Sequence, residues 1–199
     1  MSLLSRYLIG QIVRPMLAIV FVALAVLLLG ACQSTALEIT VENQSDYPIC
    51  EVYLSPAEAT DFGENRLPEN KTLLSGDRYT FLLETDEYDL LVRTCAEETI
   101  FSAAQVTQSG TIIIGAAGQA ALKVHNQTAV EICYLYISQN EDWGEDRLGR
   151  VESILPGSTR LFLLPPGTYR ARAQDCEEKT LAEIEGVLLE ATFDWTISP

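Results

Sequence analysis

Five cysteines, one histidine and two acidic stretches are the residues of this 199-residue chain whose types and spacing could do chemistry. Cys50, Cys95, Cys133 and Cys176 offer thiols for disulfides or for a metal, but no two of them have the short spacing of a zinc ligand pair. Asp61 and Glu64 lie in the stretch 56–67; Asp142, Glu145 and Asp146 lie in 139–148. Oxygen ligands gathered in a loop are what Ca²⁺ takes, which makes these five acids candidate metal ligands. Their spacing fits no EF-hand, and a capped, solvated turn is the simpler account. His125 is the only histidine, and a general base needs a positioned partner that the sequence does not identify. No HExxH, GxSxG, P-loop or dinucleotide fingerprint is present. Phe62 and Trp143, like Tyr53 and Tyr136, occupy matching positions. Such aromatics can meet a glycan or a protein; the expectation here is that they fill the core or pin a loop.

The elements that must position these groups are written twice. Val41-Glu42-Asn43-Gln44-Ser45 matches Val124-His125-Asn126-Gln127-Thr128, and Ile49-Cys50 matches Ile132-Cys133, 83 residues apart. Phe62-Gly63-Glu64 then matches Trp143-Gly144-Glu145. Gly76, Phe81, Tyr88, Cys95 and Thr99 match Gly157, Phe162, Tyr169, Cys176 and Thr180, now 81 apart. A two-residue deletion ahead of Trp143 accounts for the change, and the pattern reads as a duplication over residues 37–115 and 120–199. Within each repeat the apolar period is two. Leu37, Ile39 and Val41 alternate with polar residues, as do Tyr169, Ala171 and Ala173, and Phe193, Trp195 and Ile197. Such runs are half-buried strands. Pro156-Gly157, Pro165-Pro166-Gly167 and Ser75-Gly76 separate them, and Pro166-Gly167 suits the centre of a type II turn. The expectation is an all-β chain of two tandem small β-sandwiches, Ig-like or transthyretin-like. Residues 56–67 read as a long loop with room for one helical turn, and 178–189 as strand and loop broken at Glu185-Gly186.

Arg6 and Arg14 precede an uncharged apolar run from Met16 to Leu29, followed by Gly30, Ala31 and Cys32. A basic segment, an apolar run shorter than a bilayer-spanning helix and small residues before a cut describe a secretory signal peptide. Leu29-Gly30-Ala31-Cys32 resembles the lipobox of bacterial lipoproteins. The resemblance implies a signal peptide over 1–31, attachment of a diacylglycerol group to the Cys32 thiol, cleavage before Cys32, acylation of the new amino terminus with a palmitate-type fatty acid, and a lipid-anchored tether over 32–36. It also implies a place in the bacterial cell envelope, at the outer membrane in a Gram-negative host, since Gln33 rather than Asp follows the cysteine. The formal net charge of -15 excludes nucleic acid, which needs a basic footprint. It also keeps the protein surface off anionic lipid heads, so the lipid is the expected membrane contact.

Export supplies the oxidising compartment that disulfides require. Four cysteines permit three connectivities, and duplication selects one, because each ancestral repeat had to be self-sufficient: Cys50 with Cys95, and Cys133 with Cys176. Closing loops of 45 and 43 residues contributes roughly 4 kcal/mol each in the chain-entropy account. Cys176 is out of phase with Tyr169, Ala171 and Ala173, so a bulge before it or a bond at the strand end is required.

The second repeat also carries Asn126, Ile132-Cys133-Tyr134-Leu135-Tyr136, Trp143-Gly144-Glu145-Asp146, Leu155-Pro156-Gly157, Pro165-Pro166-Gly167-Thr168-Tyr169 and Asp175-Cys176. Over residues 122–198 this resembles a recurrent exported bacterial domain. The resemblance implies exported tandem β-domains and no catalytic residue. The functional expectation is a non-enzymatic envelope lipoprotein that binds or scaffolds, without a cofactor, held through Cys32 and meeting an unidentified protein or glycan. A Ca-dependent surface-binding protein and a carboxylate-based hydrolase are the alternatives, the latter needing two carboxylates ~5–9 Å apart in one cleft. Any ligand site is expected on the loops 56–67 and 139–148, displayed on a rigid sandwich.

Overall fold

The computed structural model describes residues 37–199 except 58, 60, 85, 86 and 151. The signal segment, Cys32 and the tether fall outside these residues, as does the Thr85-Asp86 pair. The described residues form twelve strands and no helix. In chain order the strands are β1 (Leu37–Asn43), β2 (Ile49–Pro56), β3 (Arg78–Leu83), β4 (Tyr88–Thr94), β5 (Thr99–Val106) and β6 (Gly110–Ile114). They continue as β7 (Ala120–Asn126), β8 (Tyr134–Ser138), β9 (Thr159–Leu164), β10 (Gly167–Gln174), β11 (Thr180–Leu189) and β12 (Thr192–Ile197).

The chain is an all-β sandwich fold in three sheets, ordered β3-β1-β6, β11-β10-β8 and β12-β7-β9-β5-β4-β2. β1 pairs antiparallel with β3 and parallel with β6, and β7 repeats this with β9 and β12. Period-two alternation is the cause of the layering. Leu37, Ile39 and Val41 are buried in β1 and Tyr169, Ala171 and Ala173 in β10, while Arg170 and Arg172 point outward. One core gathers around Ile39, Leu54 and Leu90, and another around Leu122, Leu135 and Ile154. Each such side chain contributes about 1.5–3 kcal/mol on burial.

The two halves meet through specific contacts. β5 and β9 touch in parallel at Thr99 and Arg160, which joins three strands from each half into the six-stranded sheet. Leu161 and Ala121 belong to the first core although they come from β9 and β7. The Arg160 guanidinium forms a buried ion pair with Glu152 at 2.8 Å and donates from Nη1 to the Thr99 carbonyl at 3.1 Å. Lys123 pairs with Glu98 at 2.7 Å, and that hydrogen bond holds its pKa above the ordinary value. Gly115, at φ +75, sits against Ser45 and Leu163; a Cβ there would stand 2.7 Å from the Ser45 Cβ.

Both disulfides form as expected, Cys50–Cys95 and Cys133–Cys176, with Cα separations of 4.8 and 4.9 Å. Cys176 lies just past the end of β10, and the register also shifts between Ala173 and Gln174; together these bring an out-of-phase residue to its partner. Asn43 and Asn126 make Asx-type turns at the ends of β1 and β7 and do more. Each accepts from the backbone and hydroxyl of the residue two places on, and its Nδ2 donates to two carbonyls, Tyr47 and Leu73 in one case and Val130 and Ile154 in the other.

Three expectations are corrected. Phe193 is 36% exposed rather than in the core with Trp195 and Ile197. Its counterpart in the β6 pairing is Gly110, which carries no side chain at that level. Gly167 does not adopt positive φ; it begins β10, and a Cβ there would collide with the Gln139 side chain. The Pro-Gly turn with a left-handed glycine is at 156–157, where Gly157 has φ +80 and the Ser158 N–H donates to Leu155 at 2.9 Å. Glu185-Gly186 is no break but a bulge in a continuous β11: Gly186 supplies φ +67, and Gln105 takes the matching place in β5 at φ +53. In the stretch 56–67 the Ala59 N–H donates to the Pro56 carbonyl at 2.8 Å, closing one turn at the start of the loop.

Candidate functional site

The site is built on the outer face of the β11-β10-β8 sheet. Because Tyr169, Ala171 and Ala173 turn inward, Arg170 and Arg172 emerge side by side on the opposite face. β11 places an acid beside each: Arg170 pairs with Glu185 at 2.8 Å and Arg172 with Glu183 at 2.6 Å. These pairs are partly exposed and add little stability, but they fix two guanidinium groups in place.

The loop 139–148 folds back over this face. Its inner end is held by Asp146, whose carboxylate accepts from the backbone N–H groups of Leu135 (2.8 Å), Leu148 (3.1 Å) and Gly149 (2.9 Å). Arg147 N–H donates to the Leu135 carbonyl, and Leu148 is buried as the anchor. Its outer end is tied by Arg170 donating to the Glu141 carbonyl at 2.9 Å. Trp143, between these ties, lies across both arginines, with guanidinium carbons 3.8 and 4.1 Å from its ring centroid. Trp143 is half-buried, so it neither fills the core nor hangs free. Arg170 also lines an open hollow of about 270 Å³, together with Gln139, Asn140, Glu141 and Glu185. Tyr136 sits under the loop on β8; burial raises its phenol pKa, with the nearby Asp146 charge adding to the effect.

The first half holds the same loop differently. Asn65 does the work of Asp146, accepting from Val52 and Leu67, and donates to the Cys50 carbonyl. Leu67 is the buried anchor, and Phe62 takes the place of Trp143. In place of Arg170 and Arg172 stand Asp89 and Leu91, so Phe62 has no guanidinium pair beneath it. Phe62 and Leu91 instead line a cleft of about 390 Å³ shared with Leu155 and Arg160 from the second half. Tyr53 bonds Glu51 on this outer face rather than entering the core.

The acidic candidates do not come together. Asp61 accepts from Gly63 N–H in a local turn, and Asp146 spends its carboxylate on three backbone donors. Among the described residues, one group of three possible metal ligands lies within 4.8 Å, namely Glu131, Cys133 and Cys176. Both of its sulfurs are in the disulfide, and it includes none of Asp61, Glu64, Asp142, Glu145 or Asp146.

His125 has partners that the sequence did not reveal, because they arrive from other strands. One ring nitrogen meets Thr159 Oγ1 and the other Asp194 Oδ1, both at 2.9 Å. A hydroxyl, an imidazole and a carboxylate in series can activate a nucleophile where water is excluded. Here the Asp194 side chain is 62% exposed, so the series is a solvated cross-strand relay. The arginines beneath Trp143 were likewise missed; the only signal was their alternation with the buried Tyr169, Ala171 and Ala173.

No protein-family model matches the chain, and no curated protein sequence does. Among solved structures it is similar to the Bacillus anthracis TIE protein, at 14% identity and a TM-score of 0.28, over 82% of this chain and 34% of that one. The chain thus spans about a third of the TIE protein chain. It is also similar to CBMbc (family CBM26) from Eubacterium rectale Amy13K, solved in complex with maltoheptaose, at 12% identity and a TM-score of 0.25, over 82% and 92% of the two chains. Neither likeness identifies a family.

Proposed function

We propose that this chain is a lipid-anchored protein of the bacterial cell envelope that binds rather than catalyses, and that the outer face of β8, β10 and β11 is its recognition surface for glycans. The observation that carries the reading is Trp143, with the Arg170 and Arg172 guanidinium carbons 3.8 and 4.1 Å from its ring centroid, held by ties at both ends of its loop. A fixed aromatic plane beside planar hydrogen-bonding groups suits a polyhydroxylated ring, whose C–H face stacks while its hydroxyls meet Gln139, Asn140, Glu141 and Glu185. The pinned loop reduces the ordering cost of binding. The lipobox resemblance at Cys32 supports the anchor, and the acidic surface leaves the lipid as the membrane contact.

Titrating the chain with a panel of envelope glycans, with tryptophan fluorescence and calorimetry as readouts, tests the surface. Trp143→Ala should weaken binding about tenfold or more, as expected for a central aromatic anchor. Arg170→Ala should weaken it less and restore mobility to the loop. A glycan bound equally by wild type and Trp143→Ala, or no glycan bound at all while Trp143→Ala abolishes capture of one defined protein, would overturn the glycan reading. For the anchor, Cys32→Ala should abolish fatty-acid labelling; unchanged labelling would remove it.

A further inference from the structure

We infer that this chain self-associates head to tail, with the β11 end of one copy seated on the β3 side of the next. The contact would copy, between molecules, the joint that already exists within the chain. In that joint the edge of β5 meets the edge of β9, and the first half presses on the outer face of β7 and β9. The repeat places β11 where β5 stands and β3 where β9 stands. Among the described residues β11 pairs only with β10, and β3 only with β1, so both edges are open.

The side chains at the two ends fit one another. Leu163, which the joint packs against the first core, has Leu82 as its counterpart, and Leu82 is 73% exposed. Tyr47, which bonds Thr192 across the joint at 2.9 Å, has Val130 as its counterpart at 45% exposed. Single exposed leucines and valines are ordinary, but these two stand at opposite ends, at positions the joint covers. The charges match in a transposed sense. Glu152, bonded by Ser102 in the joint, corresponds to Lys71, and Ser102 corresponds to Glu183. Glu98, paired with Lys123, corresponds to Lys179, and the counterpart of Lys123 is Thr40, flanked on the same face by Glu38 and Glu42. A second copy would therefore set Lys71 against Glu183, which already pairs with Arg172 in its own chain and would be shared between them, and Lys179 against Glu38 and Glu42.

Thr80 replaces Leu161 and Tyr79 replaces Arg160 at the open β3 end, so the contact between copies lacks the buried core of the joint. It is weaker and reversible, and depends on the concentration that a shared membrane surface provides. A head-to-tail contact joins two different surfaces and need not close, so the products are chains of varying length rather than a fixed dimer. Open edge strands have the same tendency.

The test is the mass of the full chain in detergent micelles, measured by light scattering that separates protein from detergent, up to about 1 mM. The protein mass should rise with concentration past that of a dimer and fall with added salt. Lys71→Glu and Glu183→Lys should each leave monomers. Mixing these two variants, or combining both changes in one chain, should restore growth, because the pair is reversed rather than lost. Leu82→Asp should also give monomers, with circular dichroism confirming that each variant is folded. A chain that stays monomeric throughout, a mass that stops at the dimer, or growth indifferent to Lys71, Glu183 and Leu82 would overturn the inference.

Discussion

Replacing Asn126 with alanine should lower the melting temperature by roughly 5–10 °C. Asn126 is buried, and its side chain makes four hydrogen bonds: from Nδ2 to the carbonyls of Val130 (2.8 Å) and Ile154 (2.7 Å), and to Oδ1 from the backbone (3.0 Å) and hydroxyl (2.8 Å) of Thr128. At about 1 kcal/mol net each, the ceiling is about 4 kcal/mol. Two partners keep another bond after the change: Ile154 still accepts from Ile132 N–H, and Val130 still accepts from the Thr128 hydroxyl. Thr128 lies near the surface, where water replaces part of the loss. That leaves about 2–3 kcal/mol, and about 2–4 °C accompanies each kcal/mol in a chain of this size. Asn43→Ala should cost somewhat more: its four corresponding distances are 2.8, 2.8, 3.0 and 2.7 Å, but its partner Ser45 is buried, so water replaces less of the loss. Asn126→Asp should be worse than alanine, since a carboxylate oxygen would then face two carbonyls that need a donor. Thermal melts followed by circular dichroism decide the matter. An alanine variant melting within 1 °C of wild type, or an aspartate variant more stable than the alanine one, would refute the reasoning.

Gly115→Ala should destabilise the joint specifically, by about 1–3 kcal/mol, since its Cβ would stand 2.7 Å from Ser45 and 2.8 Å from Leu163 at φ +75. Proteolysis that separates the halves before either melts is the readout, and an unchanged pattern would count against the packing described. Burial is the first cause that raises the phenol pKa values of Tyr53, Tyr136 and Tyr169 above 10.0. The unfolded chain releases these protons first, so the stability they contribute is complete below about pH 10 and is lost as pH rises through the folded values. Phenolate absorbance should therefore show a late-titrating class that merges with the rest on unfolding; a single ordinary transition in the folded protein would contradict it.

Much of the fold was legible in local spacing. Alternation places Leu37, Ile39 and Val41 on one face whatever the tertiary surroundings, because successive side chains of a strand point to opposite sides. Reading the matched segments as a repeat paired Cys50 with Cys95 and Cys133 with Cys176, and both bonds are present. Spacing failed where a strand end or an irregularity intervened. Phe193 alternates correctly yet lies beyond the core, and Gly186 looks like a turn because a bulge and a turn make the same demand on φ.

The sequence by itself determined the strand pattern, the cysteine pairs and the two loops to examine. The tertiary structure decided what those loops hold. Trp143 meets Arg170 and Arg172, His125 meets Thr159 and Asp194, and Arg160 meets Glu152 and Thr99, each across a separation in the chain that the period of a strand does not encode. The physical reason is that periodicity tells a side chain which face it occupies, while its partner on that face is set by strand order, register and the path of the covering loop. Those are settled by closing long loops around a common core, and only there do residues far apart in sequence come within the few ångströms over which their chemistry acts.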